Sequence, residues 1–141
     1  MATILKQVYA YTPSLVREWP VAVGTLKGTA VVAAGSEQPG VTITNEPSVV
    51  RTSELGGAYS ITFPGNDVGN TAGNATVATD GTFAGAVTGA SATTAKNTLV
   101  YLVSDGTLTL TASGNTKFGV VDSFLGKASA TDTAVKIGVF A

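Results

Sequence analysis

Cysteine and histidine are both absent from this 141-residue chain. Their absence removes the disulfide, the thiol nucleophile, the Cys/His zinc site, the imidazole acid–base and the Ser-His-Asp triad. Chemistry through paired carboxylates or a lysine stays open, but the expectation is a protein that is not an enzyme and carries no cofactor. Charge is scarce too: 12% of residues are Asp, Glu, Lys or Arg, and the formal net charge is -1, against roughly 25% charged residues in ordinary soluble domains. With no basic excess there is no electrostatic footprint for phosphate backbones, and no polybasic run for anionic lipid. No apolar stretch reaches the ~18 residues that span a membrane. The first residues, Met1 to Trp19, lack an apolar core behind a basic start, so they do not read as a secretory signal. Neither nucleic acid nor membrane is expected as a partner, and synthesis in the cytoplasm is expected.

What remains is a chain rich in Val, Thr and Gly, with a mean hydropathy of +0.31 and only 7% aromatic residues. Its surface must be built largely from Thr, Ser, Ala, Gly and Asn, and low net charge weakens repulsion between copies. Such a surface suits a protein packed against neighbours. A chain of this length buries about two thirds of its unfolded surface, enough for one core without staples.

Gly and Asn cut the sequence into short apolar runs, the pattern of many short strands. The fold class expected is all-β: a compact β-sandwich or barrel-like domain over residues 20–141, preceded by an N-terminal arm over residues 1–19. Tyr59-Ser60-Ile61-Thr62-Phe63 alternates as a strand and stops at Pro64-Gly65. Thr98–Val103 is nearly all apolar, as a strand covered on both faces would be. Ser104-Asp105-Gly106 supplies its turn, and Thr107–Thr111 returns with Leu in and Thr out. Phe118–Val121 and Val135–Phe140 read as further strands, as do Val21–Val23, Gly28–Ala34, Val41–Thr44, Ala75–Ala78 and Thr82–Val87. The last two are joined at Asp80-Gly81. Ser14–Trp19 also admits a helical turn, capped by Ser14 and stopped by Pro20. Gly65–Asn74 reads as an exposed polar loop.

Few side chains suggest a site. Gly81, Gly85 and Gly89 match a membrane-helix packing motif, but a segment this short and polar reads as strand and turn glycines. Asn66, Asp67, Asn70 and Asn74 offer oxygens to a hard cation, yet one carboxylate without EF-hand spacing describes a solvated loop, and no metal is expected. Asn74-Ala75-Thr76 is a glycosylation sequon without a secretory context. Glycoside hydrolysis needs two carboxylates at a set separation. Asp80 and Asp105 each precede Gly as turn residues do, and Glu37, Glu46 and Glu54 lie among polar and Pro positions. Tyr9, Tyr11 and Trp19 are the notable aromatics, in or beside the arm. They either bury in their own domain or serve as anchors on a partner.

The second half carries a recognisable order of motifs. Ala75-Thr76-Val77-Ala78-Thr79-Asp80-Gly81-Thr82-Phe83 is followed by Asn97-Thr98-Leu99-Val100-Tyr101 and Ser104-Asp105-Gly106-Thr107-Leu108-Thr109. Gly114-Asn115-Thr116-Lys117-Phe118-Gly119-Val120 and Thr131-Asp132-Thr133-Ala134-Val135-Lys136-Ile137 close it. This order resembles the head-decoration proteins of tailed phages, also called capsid-stabilising or cement proteins. A weaker resemblance runs through Pro20–Val31, and residues 32–74 are longer than the family's usual link, which implies a separate lobe or insertion there. The resemblance implies a β-rich domain on the outer face of a virion, made in the host cytoplasm, binding the major capsid protein as a homo-trimer. Tyr9, Tyr11 and Trp19 are then the candidate capsid-contacting residues. The alternative is a carbohydrate-binding or host-adhesion module of a head or tail fibre.

Overall fold

A computed structural model describes residues 2–9, 16–48, 50–55, 59–64, 71–122 and 129–138. Among them the chain forms strands and no helix. The strands are β1 (Lys6–Tyr9), β2 (Val16–Pro20), β3 (Ala30–Val32), β4 (Pro39–Thr42), β5 (Val50–Leu55), β6 (Tyr59–Pro64) and β7 (Asn74–Ala78). They continue with β8 (Gly81–Gly85), β9 (Val87–Thr88), β10 (Leu99–Leu102), β11 (Leu108–Thr109), β12 (Thr116–Val121) and β13 (Thr133–Ile137). The all-β expectation holds.

Seven strands make one mixed sheet in the order β1-β8-β13-β12-β10-β11-β9, and four make a second in the order β2-β7-β4-β3. Strands β5 and β6 pair with each other as a separate hairpin. The large sheet runs from one edge to another without closing, so the arrangement is a sandwich and not a barrel. One core joins the two sheets. Ala30, Val41 and Ala78 from the smaller sheet meet Phe83, Val100, Leu108, Phe118, Val121, Val135 and Ile137 from the larger one.

Local chemistry explains several elements. At the β10–β11 turn Gly106 takes φ +86°. The Asp105 carboxylate accepts from the Thr107 amide at 2.9 Å and its hydroxyl at 2.6 Å, bonds that hold this carboxyl below its ordinary range. On β12 a β-bulge lets two large side chains share one core. Val100 stands opposite Gly119 and Tyr101 opposite Lys117, which leaves Phe118 as the extra residue. A bulge resets the alternation of faces, so Phe118 and Val121 are both buried.

The N-terminal residues are extended, but they are built into the domain. Strand β1 adds to β8, and β2 adds to β7. Since β7 leads directly into β8 across Thr79-Asp80, the pairs form one bent antiparallel ribbon that passes from the small sheet to the large one. Upstream of β1, Leu5 is buried in the common core and its amide donates to Gly28 O at 2.7 Å. Ile4 bridges to Thr29, and the Thr3 amide donates to Gly106 O at 3.1 Å.

Several sequence expectations need correction. Val16–Pro20 is a strand and not part of a helical turn, because its amides find partners along β7. Val21–Val23 is loop. Strand β10 is covered on one face only: Val100 is buried and Leu99 is 38% exposed. Leu108 and Thr109 are both buried, so the return strand does not divide into Leu in and Thr out. Most of the Gly65–Asn74 loop lies outside the described residues.

Gly119 gives a direct test of this packing. A β-carbon there would stand 2.5 Å from Lys136 O and 3.0 Å from Val135 Cγ1. Overpacking of this kind typically costs about 1–3 kcal/mol. Gly119→Ala should therefore lower the unfolding free energy by that amount, seen as a lower denaturation midpoint at unchanged slope. An unchanged midpoint would contradict the register of β12 against β13.

Candidate functional site

Among the described residues, three exposed large apolar side chains share one groove. Val23 is 73% exposed, Leu26 47% and Ile4 44%. With Ala2, Thr25 and Thr29 they line a shallow groove of about 310 Å³ that contains no charged residue. Contiguous exposed apolar surface marks interaction sites more often than isolated apolar residues do.

The loop that displays Val23 and Leu26 is held from beneath. Glu46 is fully buried, at 0% exposure. Its Oε2 accepts from the Gly24 amide at 2.9 Å and the Ser48 amide at 3.0 Å. Its Oε1 accepts from the Gly73 amide at 2.9 Å and the Ser48 hydroxyl at 3.1 Å. The Glu46 amide in turn donates to Thr25 O at 2.8 Å. One carboxylate thus ties together the loops before β3, after β4 and before β7. The amides of Gly24 and Gly73, then the amide and hydroxyl of Ser48, favour the charged form over the opposing effect of burial, and the pKa falls from 4.5 to about 2.

Threonines complete the support. Thr42 is buried, its hydroxyl donates to Leu26 O at 2.8 Å, and the same oxygen accepts from the Thr29 amide at 2.9 Å. Thr44 Oγ1 accepts from the Thr76 amide at 3.0 Å. Among the described residues every buried side-chain nitrogen or oxygen has a partner, as a stable interior requires. The display loop is therefore fixed by satisfied polar groups, with its apolar side chains turned outward.

Of the aromatics expected as contact residues, Trp19 does not line this groove. Tyr9 lies on β1 with its Cα opposite Thr82 in the large sheet. Trp19 lies on β2 in the small sheet and is half-buried. A β-carbon at Gly40 would come within 3.1 Å of its Cζ3 atom, so the indole packs over the glycine of β4. Tyr11 lies outside the described residues. The candidate-site residues that sequence reasoning passed over are Val23, Leu26 and Glu46. The one available signal was Gly24 and Gly28 flanking Leu26, two turn residues within a run that otherwise reads as strand.

A second cleft, of about 370 Å³, opens over the large sheet between Thr82, Lys96, Asn97, Val120, Asp122 and Lys136. Thr82 Oγ1 donates to Asp122 there at 3.1 Å. Two lysines against one aspartate give its lining a net charge of +1.

Comparison with protein-family models, with curated proteins and with solved structures finds no match.

The Glu46 clasp predicts a specific acid response. A carboxyl whose pKa drops on folding contributes stability above its unfolded value and loses it as pH falls to the folded value. Glu46→Gln puts an NH2 donor among N–H groups and should be less stable than the parent near neutral pH. The stability gap should stay constant above about pH 4.5 and close between there and about pH 2. Denaturant melts at stepped pH measure it; a gap independent of pH would contradict the ionised clasp.

Proposed function

We propose that this protein is a structural virion protein that binds the outer surface of a phage capsid, bridges neighbouring major capsid protein subunits as a homo-trimer, and so stabilises the shell. The observation that carries the reading is the order of motifs over residues 75–141, which resembles the capsid-decorating proteins and which corresponds to β7 through β13. Asp80 falls at the bend before β8 and Asp105-Gly106 in the β10–β11 turn, while Phe83, Val100, Leu108, Phe118, Val121, Val135 and Ile137 fall in its core. The resemblance therefore runs through the residues that build the frame.

The mechanism is mechanical. A shell filled with DNA is under outward load, and a protein seated across two subunits raises the work of separating them. Each copy contributes modest binding energy, and repetition over the surface makes the sum large. The groove around Val23, Leu26 and Ile4 supports this reading, since an uncharged apolar patch held on a rigid loop suits a protein surface better than a charged or glycan ligand. The N-terminal residues serve less well as a detachable capsid-binding arm, because Leu5 is part of the domain core. Truncating them would test stability before it tested binding.

Expanded heads mixed with purified protein provide the test. Saturation at on the order of hundreds of copies per head, with later heat release of DNA, is the expected result; multivalent attachment requires that density. Val23→Asp and Leu26→Asp should leave the melting temperature nearly unchanged, since exposed substitutions usually stay within about 0.5 kcal/mol. Each should weaken attachment by about tenfold, the effect of losing one contact worth roughly 1.4 kcal/mol. Attachment at tens of copies or fewer, or unaffected by both variants, would contradict the proposal.

A further inference from the structure

We propose that Ala2–Tyr9 is an exchangeable strand, and that the groove receiving it also takes the same strand from a second copy of this chain. The groove is built by three glycines from distant parts of the sequence. A β-carbon at Gly85 would stand 2.6 Å from Leu5 Cδ2 and 3.1 Å from Thr3 Cγ2. At Gly106 it would stand 2.7 Å from Ala2 Cβ, and at Gly28 2.6 Å from Leu5 O. None of the three belongs to the strand, so every copy carries the notch whatever the source of the strand that fills it.

The bonds that seat the strand are largely main-chain bonds. The Thr3 amide reaches Gly106 O, the Leu5 amide reaches Gly28 O, and Lys6–Tyr9 pairs along β8. Leu5 and Thr3 supply the buried side chains. All of these contacts act through space between residues 2–9 and the body of the domain, and the covalent link runs through residues 10–15 alone. Each contact forms equally well when the strand arrives from a neighbour. Strand β1 is also the edge of its sheet, so no other strand must be displaced for it to leave or enter. Exchange of an identical element is a low-cost route to oligomers. The competition between own and neighbouring strand is set by effective concentration, so crowding of copies favours the exchanged form.

The absence of cysteine gives a clean assay. Ile4 and Thr29 face each other across an antiparallel bridge, at a spacing that suits a disulfide. Protein carrying Ile4→Cys alone is refolded at high concentration with protein carrying Thr29→Cys alone, then oxidised and run without reductant. The expected result is a shift of up to about half of the material, the ceiling for random pairing of two kinds of chain, to twice the chain mass, with one chain of each kind. The pair Lys6→Cys and Ala84→Cys, opposite each other in the β1–β8 ladder, provides an independent repeat. Thr29→Cys mixed with Ser113→Cys, an exposed turn position, reports random collision. Exchange is overturned if both mixed pairs stay monomeric while the double variants close within one chain, or if the Ser113 mixture links as well as they do. The assay contains no capsid, so its failure leaves the capsid reading standing, and failure to coat heads leaves exchange standing.

Discussion

The Glu46 carboxylate is sealed from water and, among the described residues, meets no cation. Burying an ionised group is expensive unless its hydrogen bonds are replaced, and here backbone amides from three loops replace them. That requirement fixes the loops relative to one another. Remove the charge and the amides of Gly24, Ser48 and Gly73 lose the acceptor that gathers them. The apolar side chains of Val23 and Leu26 are displayed on a loop that would otherwise have little reason to hold one shape. The same device explains how a chain with so few charges orders its loops, since one charge satisfies several donors.

A second constraint joins the sheets. The first strands follow the β7–β8 ribbon backwards from the large sheet into the small one, so a single covalent path crosses the sandwich twice. Buried threonines work within this frame as β-branched residues that fit strands and as hydroxyls that satisfy loop backbone. Thr42 and Thr133 each do both: Thr133 is fully buried and its hydroxyl donates to Ser129 O at 2.6 Å. This accounts for a polar but uncharged composition in a protein with a complete core.

Much of the fold was legible because its signals are local. Asp105-Gly106 marks its turn through positive φ and Asx bonding, and Asp80-Gly81 marks its bend through positive φ, features that depend on neighbours in sequence. Alternation in Tyr59–Phe63 located β6 for the same reason. What could not be read depends on residues far apart. Glu46 looked like one more polar residue beside a proline, because the amides it gathers come from Gly24 and Gly73. Gly119 could not be distinguished from other glycines until β13 passed beside it. The N-terminal residues looked like a free arm because they lack turn residues, yet their partners, Gly28, Gly85 and Gly106, are scattered through the chain. For the site, aromatic content pointed to Tyr9, Tyr11 and Trp19. The groove described above takes its character from aliphatic residues whose exposure follows from loop geometry.

The account turns on where this domain sits in an assembled particle. A cryo-electron microscopy reconstruction of mature virions addresses that directly. The account predicts density for the sandwich on the outer face of the shell, spanning neighbouring major capsid protein subunits, with the Val23–Leu26 loop against the capsid. Density confined to a tail or fibre, or a shell bare of this domain, would contradict it.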